Sequence, residues 1–313
     1  MRLALLFSGQ GVQGPAHWQQ VMDGPDAALS DQLRHLLPEL AGTAATVETM
    51  AGPGGDAEKL AQNSVAQPLI FAQQILLWGQ LQPRLPRPIC AAGYSLGEMA
   101  ACSAAGAFSA SAGLDLCAKR AALMDGAVSG EQGMLAVLGL DEALVEGMAA
   151  AAGLAVAIRN APRHLVVAGP RPGLLAVAEQ FTAAGASRLV QLAVRTPSHT
   201  PQLTSAAVDF EKCLDLLPDA RLAFPVLSAI DATPARMARP ALDALARQIC
   251  TSLDWAACLQ AVAEMQPDAV LEIGPGNALS RLFAELAPNV PVRACDDFRS
   301  VDGIVRWVES GAR

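Results

Sequence analysis

The feature that most restricts what this chain can fold into is the segment Gly93–Gly97, of sequence G-Y-S-L-G, together with its flanks. The short apolar run Ile89–Gly93 predicts a buried strand before it, and the small-residue segment Leu96–Ala107 predicts a helix after it. A tight strand-to-helix turn tolerates only small flanking residues, and it raises the central serine above the end of a sheet. We therefore expect Ser95 to be an accessible nucleophile; a plain Gly/Ser turn is the alternative.

Short apolar runs alternate with longer amphipathic segments along most of the chain, which predicts an α/β fold. Arg2–Phe7 and Ala269–Ile273 are two further predicted strands, and Ala57–Leu81 is a predicted helix that ends before a proline-rich segment. Aromatic residues make up only 4% of the chain, so the core is expected to consist mainly of Ala, Leu and Val. Such a core suits helices packed closely on a parallel sheet.

Residues 128–195 have a different order of predicted elements. A strand, a helix, two strands, a helix and a last strand follow one another, and this βαββαβ order is that of a ferredoxin-like module. The segment carries five arginines and five acidic residues, so the net charge of −8 falls entirely on the remainder. The sequence thus predicts an α/β-hydrolase-like parallel-sheet core of residues 1–127 and 196–313. A ferredoxin-like small subdomain is inserted at 128–195, with the active site in the cleft between them.

The overall charge and composition exclude several classes of function. A net charge of −8, a pI of about 5.0 and a single tyrosine disfavour nucleic-acid binding, which uses basic surfaces or aromatic stacking. No apolar stretch reaches the roughly 18 residues of a membrane helix, and the apolar start is too short for a secretory signal. The seven cysteines include no C-x-x-C pair, and no spacing suggests a metal site. We expect a cytoplasmic protein without bound metal or cofactor, monomeric by default.

A serine nucleophile needs a base, and the chain offers four histidines, at positions 17, 35, 164 and 199. His199 lies between Pro197 and Pro201, which keep the backbone out of regular structure at the end of a predicted strand. Strand ends are where an open α/β sheet places its ligand-binding side chains. His199 is therefore the predicted base for Ser95, although a histidine in a loop is more often a plain surface residue.

The segment Gly9–Gly14 follows the first predicted strand and fits G-x-G-x-x-G, the pattern of a dinucleotide-binding loop. That interpretation requires a second strand ending in Asp or Glu about 20 residues further on. Instead, Val21–Leu37 contains a Gly-Pro pair and then a helical pattern. The same loop could place backbone N–H groups, that of Gln10 above all, over the serine as part of an oxyanion hole.

Six segments of the chain form a set that is considered together: Phe7–Gln13, Gln67-Pro68, Gly93–Glu98, Arg120–Met124, Pro197–His199 and Glu272–Gly276. They resemble the motifs of the malonyl-CoA:acyl carrier protein transacylases, in that family's order and over essentially the whole chain. The family motifs that they resemble are, in the same order, F-P-G-Q-G-x-Q, T-Q-P, G-H-S-L-G-E, R-G-x-L-M, P-S-H and E-V-G-P-G.

This resemblance implies a ping-pong reaction. Ser95, activated by His199, would take the malonyl group from malonyl-CoA and pass it to the prosthetic-group thiol of an acyl carrier protein. The backbone N–H groups of Gln10 and Leu96 are implied to hold the oxyanion, and Arg120 to pair with the free carboxylate of the malonyl group. Malonyl-CoA is then a substrate, and no bound cofactor is implied. The side chains implied to line the substrate pocket are Gln67, Tyr94 and Ser198.

Two positions depart from the family's pattern. Tyr94 stands where the family usually has His, and this elbow looks more like the transacylases of malonate decarboxylase (the epsilon-subunit type) than those of fatty acid synthesis. The carrier would then bear a phosphoribosyl-dephospho-CoA group. The family also orients its histidine through a backbone carbonyl, often of a Gln before an aromatic residue, and the matching place here is Asp254-Trp255. Asp254 is thus predicted to orient His199, through its carbonyl or its carboxylate.

The expected partner is an acyl carrier protein, and the charge of −8 restricts where it can dock. Carrier proteins are commonly acidic, and like charges slow encounter. Docking is therefore expected on the charge-balanced segment, near Arg159, Arg163, Arg171 and Arg195. Three alternatives stay open: a malonyl transacylase of fatty acid or polyketide synthesis, a serine esterase that uses water as acceptor, and a dinucleotide-binding module built on Gly9–Gly14.

Overall fold

Two β-sheets frame the protein in the computed structural model, which describes residues 1–41 and 56–311. Neighbouring strands of the first, six-stranded sheet are parallel, except for the last pair, which is antiparallel. In spatial order its strands are β11 (Val292–Ala294), β10 (Ala269–Ile273), β1 (Leu3–Phe7), β2 (Cys90–Gly93), β7 (Arg221–Leu227) and β8 (Pro234–Met237).

The second sheet has five strands and is antiparallel apart from one edge pair. In spatial order its strands are β6 (Arg188–Gln191), β3 (Gln132–Leu138), β5 (His164–Pro170), β4 (Ala155–Ala161) and β9 (Leu253–Asp254). Strands β3 to β6 and their two helices follow the βαββαβ order that the sequence predicts. The edge strand β9, however, comes from the segment predicted as core and pairs in parallel with β4. The hydrogen bonds of this sheet therefore reach beyond residues 128–195.

Fourteen α-helices of the described residues pack around the two sheets, and none of them has both the length and the apolar character needed to cross a membrane. They are α1 (Pro15–Met22), α2 (Ala27–Leu36), α3 (Pro38–Ala41), α4 (Asp56–Ala61), α5 (Asn63–Leu81), α6 (Gly97–Ala104), α7 (Ala110–Gly126), α8 (Glu142–Ala151), α9 (Arg171–Ala183), α10 (Thr204–Leu214), α11 (Ala238–Arg247), α12 (Trp255–Glu264), α13 (Ala278–Leu286) and α14 (Val301–Glu309).

The side chains of β1 separate two hydrophobic cores. Leu3, Leu5 and Phe7 join the core under α5 and α7, whereas Ala4 and Leu6 join the core between the two sheets. Successive side chains of a strand point to opposite faces, so an uninterrupted apolar run is the pattern of a strand buried on both sides. A third core lies on the far face of the second sheet, under α8 and α9. The space between the sheets is therefore packed at one end, and at the other it opens as a cleft.

The structure corrects the sequence prediction at several elements. The helix predicted over Ala57–Leu81 is two helices, α4 and α5, because Gln62 between them has an extended backbone. Strands β8, β9 and β11 and helix α14 were not predicted. The three strands have only two to four residues each and lie at sheet edges, where an alternating pattern is too short to be seen.

Candidate active site

The turn between β2 and α6 presents Ser95 at the carboxyl end of the first sheet. Its backbone φ of 54° is left-handed, a conformation that is strained for a residue other than glycine. A Cβ on Gly93 would lie 2.1 Å from the Glu98 nitrogen, and one on Gly97 would lie 2.1 Å from the Phe7 carbonyl oxygen. Only glycine fits on either side of this turn, so the geometry is that of the predicted nucleophile elbow.

His199 reaches Ser95 from the loop between β6 and α10. Its Nε2 lies 2.7 Å from Ser95 Oγ, and its Nδ1 lies 2.5 Å from the Gln248 carbonyl oxygen. Because a carbonyl only accepts, Nδ1 carries the proton and Nε2 is free to accept the serine hydroxyl. Burial lowers the pKa of His199 to about 3, although the Gln248 carbonyl opposes this shift. The imidazole is thus neutral at neutral pH, the form that a general base requires.

Asp254 does not orient His199, and that prediction is wrong. The Asp254 carboxylate accepts the Ala257 backbone N–H at 2.9 Å and caps the start of α12. The carbonyl that holds the histidine belongs to Gln248, directly after α11. The sequence prediction looked for an aromatic residue after the orienting position, and the residue after Gln248 is Ile249.

Gln248 is the functional residue that sequence reasoning missed. It is fully buried, and its side-chain Nε2 donates to the Ser95 carbonyl at 3.2 Å and to the Glu98 carboxylate at 3.0 Å. Its Oε1 accepts from Arg120 at 3.5 Å. Two acceptors face Nε2 and one obligate donor faces Oε1, so the amide has a single favourable orientation. A polar residue on the buried face of α11 is the sequence signal that could have found it.

Arg120, on α7, is fully buried without any carboxylate in contact within the part of the chain that the structure describes. Its Nη1 donates to Gln67 Oε1 at 2.9 Å and its Nη2 to Gln248 Oε1, both of which are neutral. Its Nε has no hydrogen-bond partner among residues 1–41 and 56–311. Burial lowers its pKa to about 10, so the guanidinium stays charged at neutral pH. A buried cation held only by neutral groups is costly unless an anion joins it.

A cleft of about 870 Å³ leads to this centre from between the two sheets. Arg120 and Gln67 do not line it; they lie deeper, where Gln248 connects Arg120 to Ser95. The lining residues that the sequence predicts for the site are Gln10, Tyr94, Ser95, Ser198 and His199.

The two predicted oxyanion donors remain available for a ligand. The backbone N–H groups of Gln10 and Leu96 donate to no other group within residues 1–41 and 56–311. Gln10 lies in the loop after β1, and Leu96 directly follows the nucleophile at the start of α6. N–H groups at the start of a helix are oriented towards negative charge. Both positions are therefore compatible with the predicted role, which stays a prediction.

Tyr94 and Ser198 precede Ser95 and His199 in the chain, and both line the cleft. The Tyr94 ring packs edge-on against Trp255 with 5.2 Å between ring centroids. Burial raises the pKa of the Tyr94 hydroxyl, so this group stays a neutral phenol. The Ser198 backbone N–H donates to the Thr196 carbonyl at 2.8 Å, which holds the turn that leads into His199.

Two buried carboxyl groups support the site without lying at its centre. Burial raises the pKa of Glu98 to about 8, and this group accepts from the Gln248 amide. Burial also raises the pKa of Glu272 to about 7, and this group accepts the Leu279 and Ser280 backbone N–H groups at the start of α13. Each therefore fixes the position of an element around the cleft.

The loop Gly9–Gly14 is not followed by the strand that a dinucleotide-binding fold requires. The residues after it, up to residue 41, form the helices α1, α2 and α3. Among the described residues, no group of three or more His, Cys, Asp or Glu side chains is close enough to hold a metal ion.

Comparisons with known proteins show the family to which the chain belongs. The family model described as an acyl transferase domain matches residues 5–286. The malonyl CoA-acyl carrier protein transacylase of Mycobacterium bovis is 32% identical over 301 residues, which cover 93% of this chain and 95% of that protein. The chain is thus an acyltransferase of the acyl transferase domain family, and within it the chain belongs to the family of the malonyl CoA-acyl carrier protein transacylases.

Other relatives extend the comparison. The polyketide biosynthesis protein ThaF of Burkholderia thailandensis is 31% identical over 293 residues, and the match covers 91% of this chain but only 24% of that much longer protein. A solved complex of a type II PKS acyl-carrier protein with its malonyl-transacylase has a TM-score of 0.84 at 25% identity, covering 98% of this chain and 99% of that one. An acyl-carrier-protein S-malonyltransferase from Burkholderia pseudomallei has a TM-score of 0.81 at 28% identity, covering 98% and 100%.

Proposed function

We propose that this enzyme transfers a malonyl group from malonyl-CoA to the thiol of an acyl carrier protein, through a malonyl ester on Ser95. The observation that carries the proposal is the buried charge of Arg120, which two neutral amides hold and which no carboxylate contacts among the residues that the structure describes. A malonyl group attached to Ser95 would supply the missing carboxylate. An acetyl group would leave the guanidinium without an anion, and acetyl-CoA should therefore be a poorer substrate than malonyl-CoA.

In the first half-reaction, His199 Nε2 accepts the hydroxyl proton of Ser95 as Oγ attacks the thioester carbonyl carbon. The N–H groups of Gln10 and Leu96 would hold the resulting oxyanion, and the loss of one such donor typically costs about 10²–10³ in rate. Collapse of the intermediate breaks the C–S bond, and the CoA sulfur leaves with the proton from the imidazolium. The products are a malonyl ester, free CoA and neutral His199.

The second half-reaction runs through the same groups. The carrier thiol gives its proton to His199 Nε2 while its sulfur attacks the ester carbonyl. Collapse then breaks the bond to Ser95 Oγ, which takes the proton back. The names of the transacylase relatives and the solved complex of a malonyl-transacylase with its acyl-carrier protein support a carrier protein as the acceptor.

We propose that the carrier docks at the mouth of the cleft, where Arg163 and Arg188 lie among the lining residues. Arg281 also lines the cleft, and Arg163 pairs with Asp141 at 3.3 Å. Arg188 and Arg281 would attract an acidic carrier in spite of the chain's net negative charge. Arg159, one of the arginines predicted for docking, is instead engaged by Glu142 and Glu146 on α8. The charge of Arg159 is therefore largely neutralised within residues 128–195.

We further propose that the carrier belongs to malonate decarboxylase and bears a phosphoribosyl-dephospho-CoA arm. Tyr94 in place of histidine is the basis for this assignment. A carrier of fatty acid or polyketide synthesis is the competing candidate, which the names of the relatives favour. A comparison of kcat/KM for carriers with the two kinds of arm decides between them: a higher value for the other kind of carrier would exclude the malonate decarboxylase assignment.

The architecture that we propose is an α/β-hydrolase-like core with a ferredoxin-like insert at residues 128–195. The strand order β6-β3-β5-β4, with antiparallel neighbours, supports the second part. We also propose a cytoplasmic monomer; the seven free cysteines are consistent with a reducing compartment. Size-exclusion chromatography with light scattering tests the monomer.

Radiolabelled malonyl-CoA tests the reaction directly. The wild-type enzyme should take up label, Ser95→Ala should take up none, and addition of a carrier protein should move the label onto the carrier. Uptake by Ser95→Ala would overturn the serine mechanism. Loss of the label to water at the same rate with and without a carrier would show an esterase instead of a transferase.

A further inference from the structure

A buried asparagine outside the groups used so far joins three segments of the active site. Asn63 is 5% exposed, and its Nδ2 donates to Asp125 Oδ1 at 2.7 Å and to Thr196 Oγ1 at 2.8 Å. Its Oδ1 accepts from the Gln10 side-chain Nε2 at 3.1 Å. Thr196 Oγ1 also donates to Asp125 Oδ1 at 2.8 Å, which closes a triangle of hydrogen bonds.

Each partner of Asn63 belongs to a segment that carries a reacting or binding group. Thr196 lies three residues before His199, and Asp125 lies on α7, the helix of Arg120. Asn63 is itself the first residue of α5, one helical turn before Gln67, which contacts Arg120. The asparagine therefore fixes the relative positions of the base, the buried arginine and the loop after β1.

We propose that Asn63 is a positioning residue that holds the backbone N–H of Gln10 in place for the oxyanion, by anchoring the Gln10 side chain. The proposal rests on the function proposed above. Asn63 touches no reacting atom, so its effect passes through Gln10. Its removal should weaken the transition state more than the binding of malonyl-CoA, because the oxyanion forms only during the reaction.

The other hydrogen bonds of the loop lie beyond Gln10, because Gly11 N–H donates to Gln13 Oε1 and Gln13 Nε2 donates to the Leu60 carbonyl, each at 2.8 Å. Gln10 has glycine on both sides, and Gly11 has a φ of +153°, a conformation that L side chains rarely adopt. The contact with Asn63 is the only hydrogen bond that the Gln10 side chain makes to the residues that the structure describes. Without it, no side-chain contact would hold Gln10 itself, and the pre-organisation of its N–H would be reduced.

The first test uses a fluorophosphonate that labels reactive serines, because its rate does not depend on the identity of the acyl group. Asn63→Ala should slow the labelling of Ser95 by about tenfold to a hundredfold, part of the loss expected for a missing donor. Gln73→Ala is the matched control: Gln73 is a buried amide on the same helix, bonded to Gln20 and absent from the cleft lining. It should label at nearly the wild-type rate.

A double-mutant cycle separates positioning from loss of stability. Gln10→Met keeps the backbone N–H but removes the side-chain amide. It should therefore slow the labelling of Ser95 as much as Asn63→Ala does. The double variant should be labelled no more slowly than either single variant. Fully additive losses, or equal losses in Asn63→Ala and Gln73→Ala, would overturn the proposal. If the wild-type enzyme is labelled normally but does not transfer malonyl groups, the proposed substrate fails while the role of Asn63 still stands.

Discussion

Replacing Arg120 by methionine should change which acyl group the enzyme accepts. Methionine keeps much of the buried aliphatic volume but removes the charge that Gln67 and Gln248 hold. A hydrogen bond to a charged group contributes about 1.5–3 kcal/mol, which corresponds to about a 10- to 150-fold change in rate. We therefore expect kcat/KM for malonyl-CoA to fall by that factor, whereas the value for acetyl-CoA should stay the same or rise.

The assay is the rate of acyl-enzyme formation with malonyl-CoA and with acetyl-CoA, measured for Arg120→Met, Arg120→Ala and a control. Arg239→Ala is a suitable control, because Arg239 does not line the cleft. Its guanidinium pairs with the Asp215 carboxylate at 3.0 Å. Thermal denaturation of each variant identifies losses that come from unfolding. An unchanged malonyl-to-acetyl ratio, or parallel losses with both substrates, would refute the assignment of Arg120 to the malonyl carboxylate.

Four further predictions follow, two for the base and one each for the elbow and the carrier. Because burial lowers the pKa of His199 to about 3, acylation should be nearly independent of pH down to about pH 4, and a decline centred near pH 6.5 would contradict this. The free energy of unfolding should also decrease as the pH falls from about 6.5 towards 3, since only the unfolded chain binds the proton there. Gly97→Ala should lower Tm sharply because its Cβ meets the Phe7 carbonyl, whereas Gly126→Ala, with nothing within 4 Å, should leave Tm unchanged or raise it. Arg188→Glu should raise KM for the carrier severalfold but leave KM for malonyl-CoA unchanged. Steady-state kinetics with each substrate varied in turn measures both values, and an equal rise in the two KM values would contradict the proposed docking surface.

The pairing of Ser95 with His199 was predictable because the local backbone of each residue leaves a signature within a few residues. The elbow requires glycine at two fixed positions around Ser95, and His199 lies between two prolines. Where a role depends on a distant contact, no such signature exists. Gln248 meets Ser95 across 153 positions of the chain, and Asn63 meets Thr196 across 133.

The error at Asp254 has the same origin. A residue at the start of a helix is expected to cap that helix, and Asp254 does so through its contact with Ala257. Which carbonyl reaches His199 depends on how α11 packs against the elbow, and periodicity does not encode that packing. The short edge strands β8, β9 and β11 were missed for a related reason, since their partners and not their own residues define them.

The segment from Gln248 to Asp254 connects the contact that holds His199 to the second sheet. One end of it holds the imidazole of His199 through a carbonyl, and the other end, β9, is paired with β4 of the second sheet. A movement of the second sheet away from the first therefore pulls on the residue that keeps the imidazole aligned. The width of the cleft and the alignment of the imidazole are therefore linked through the seven residues from Gln248 to Asp254.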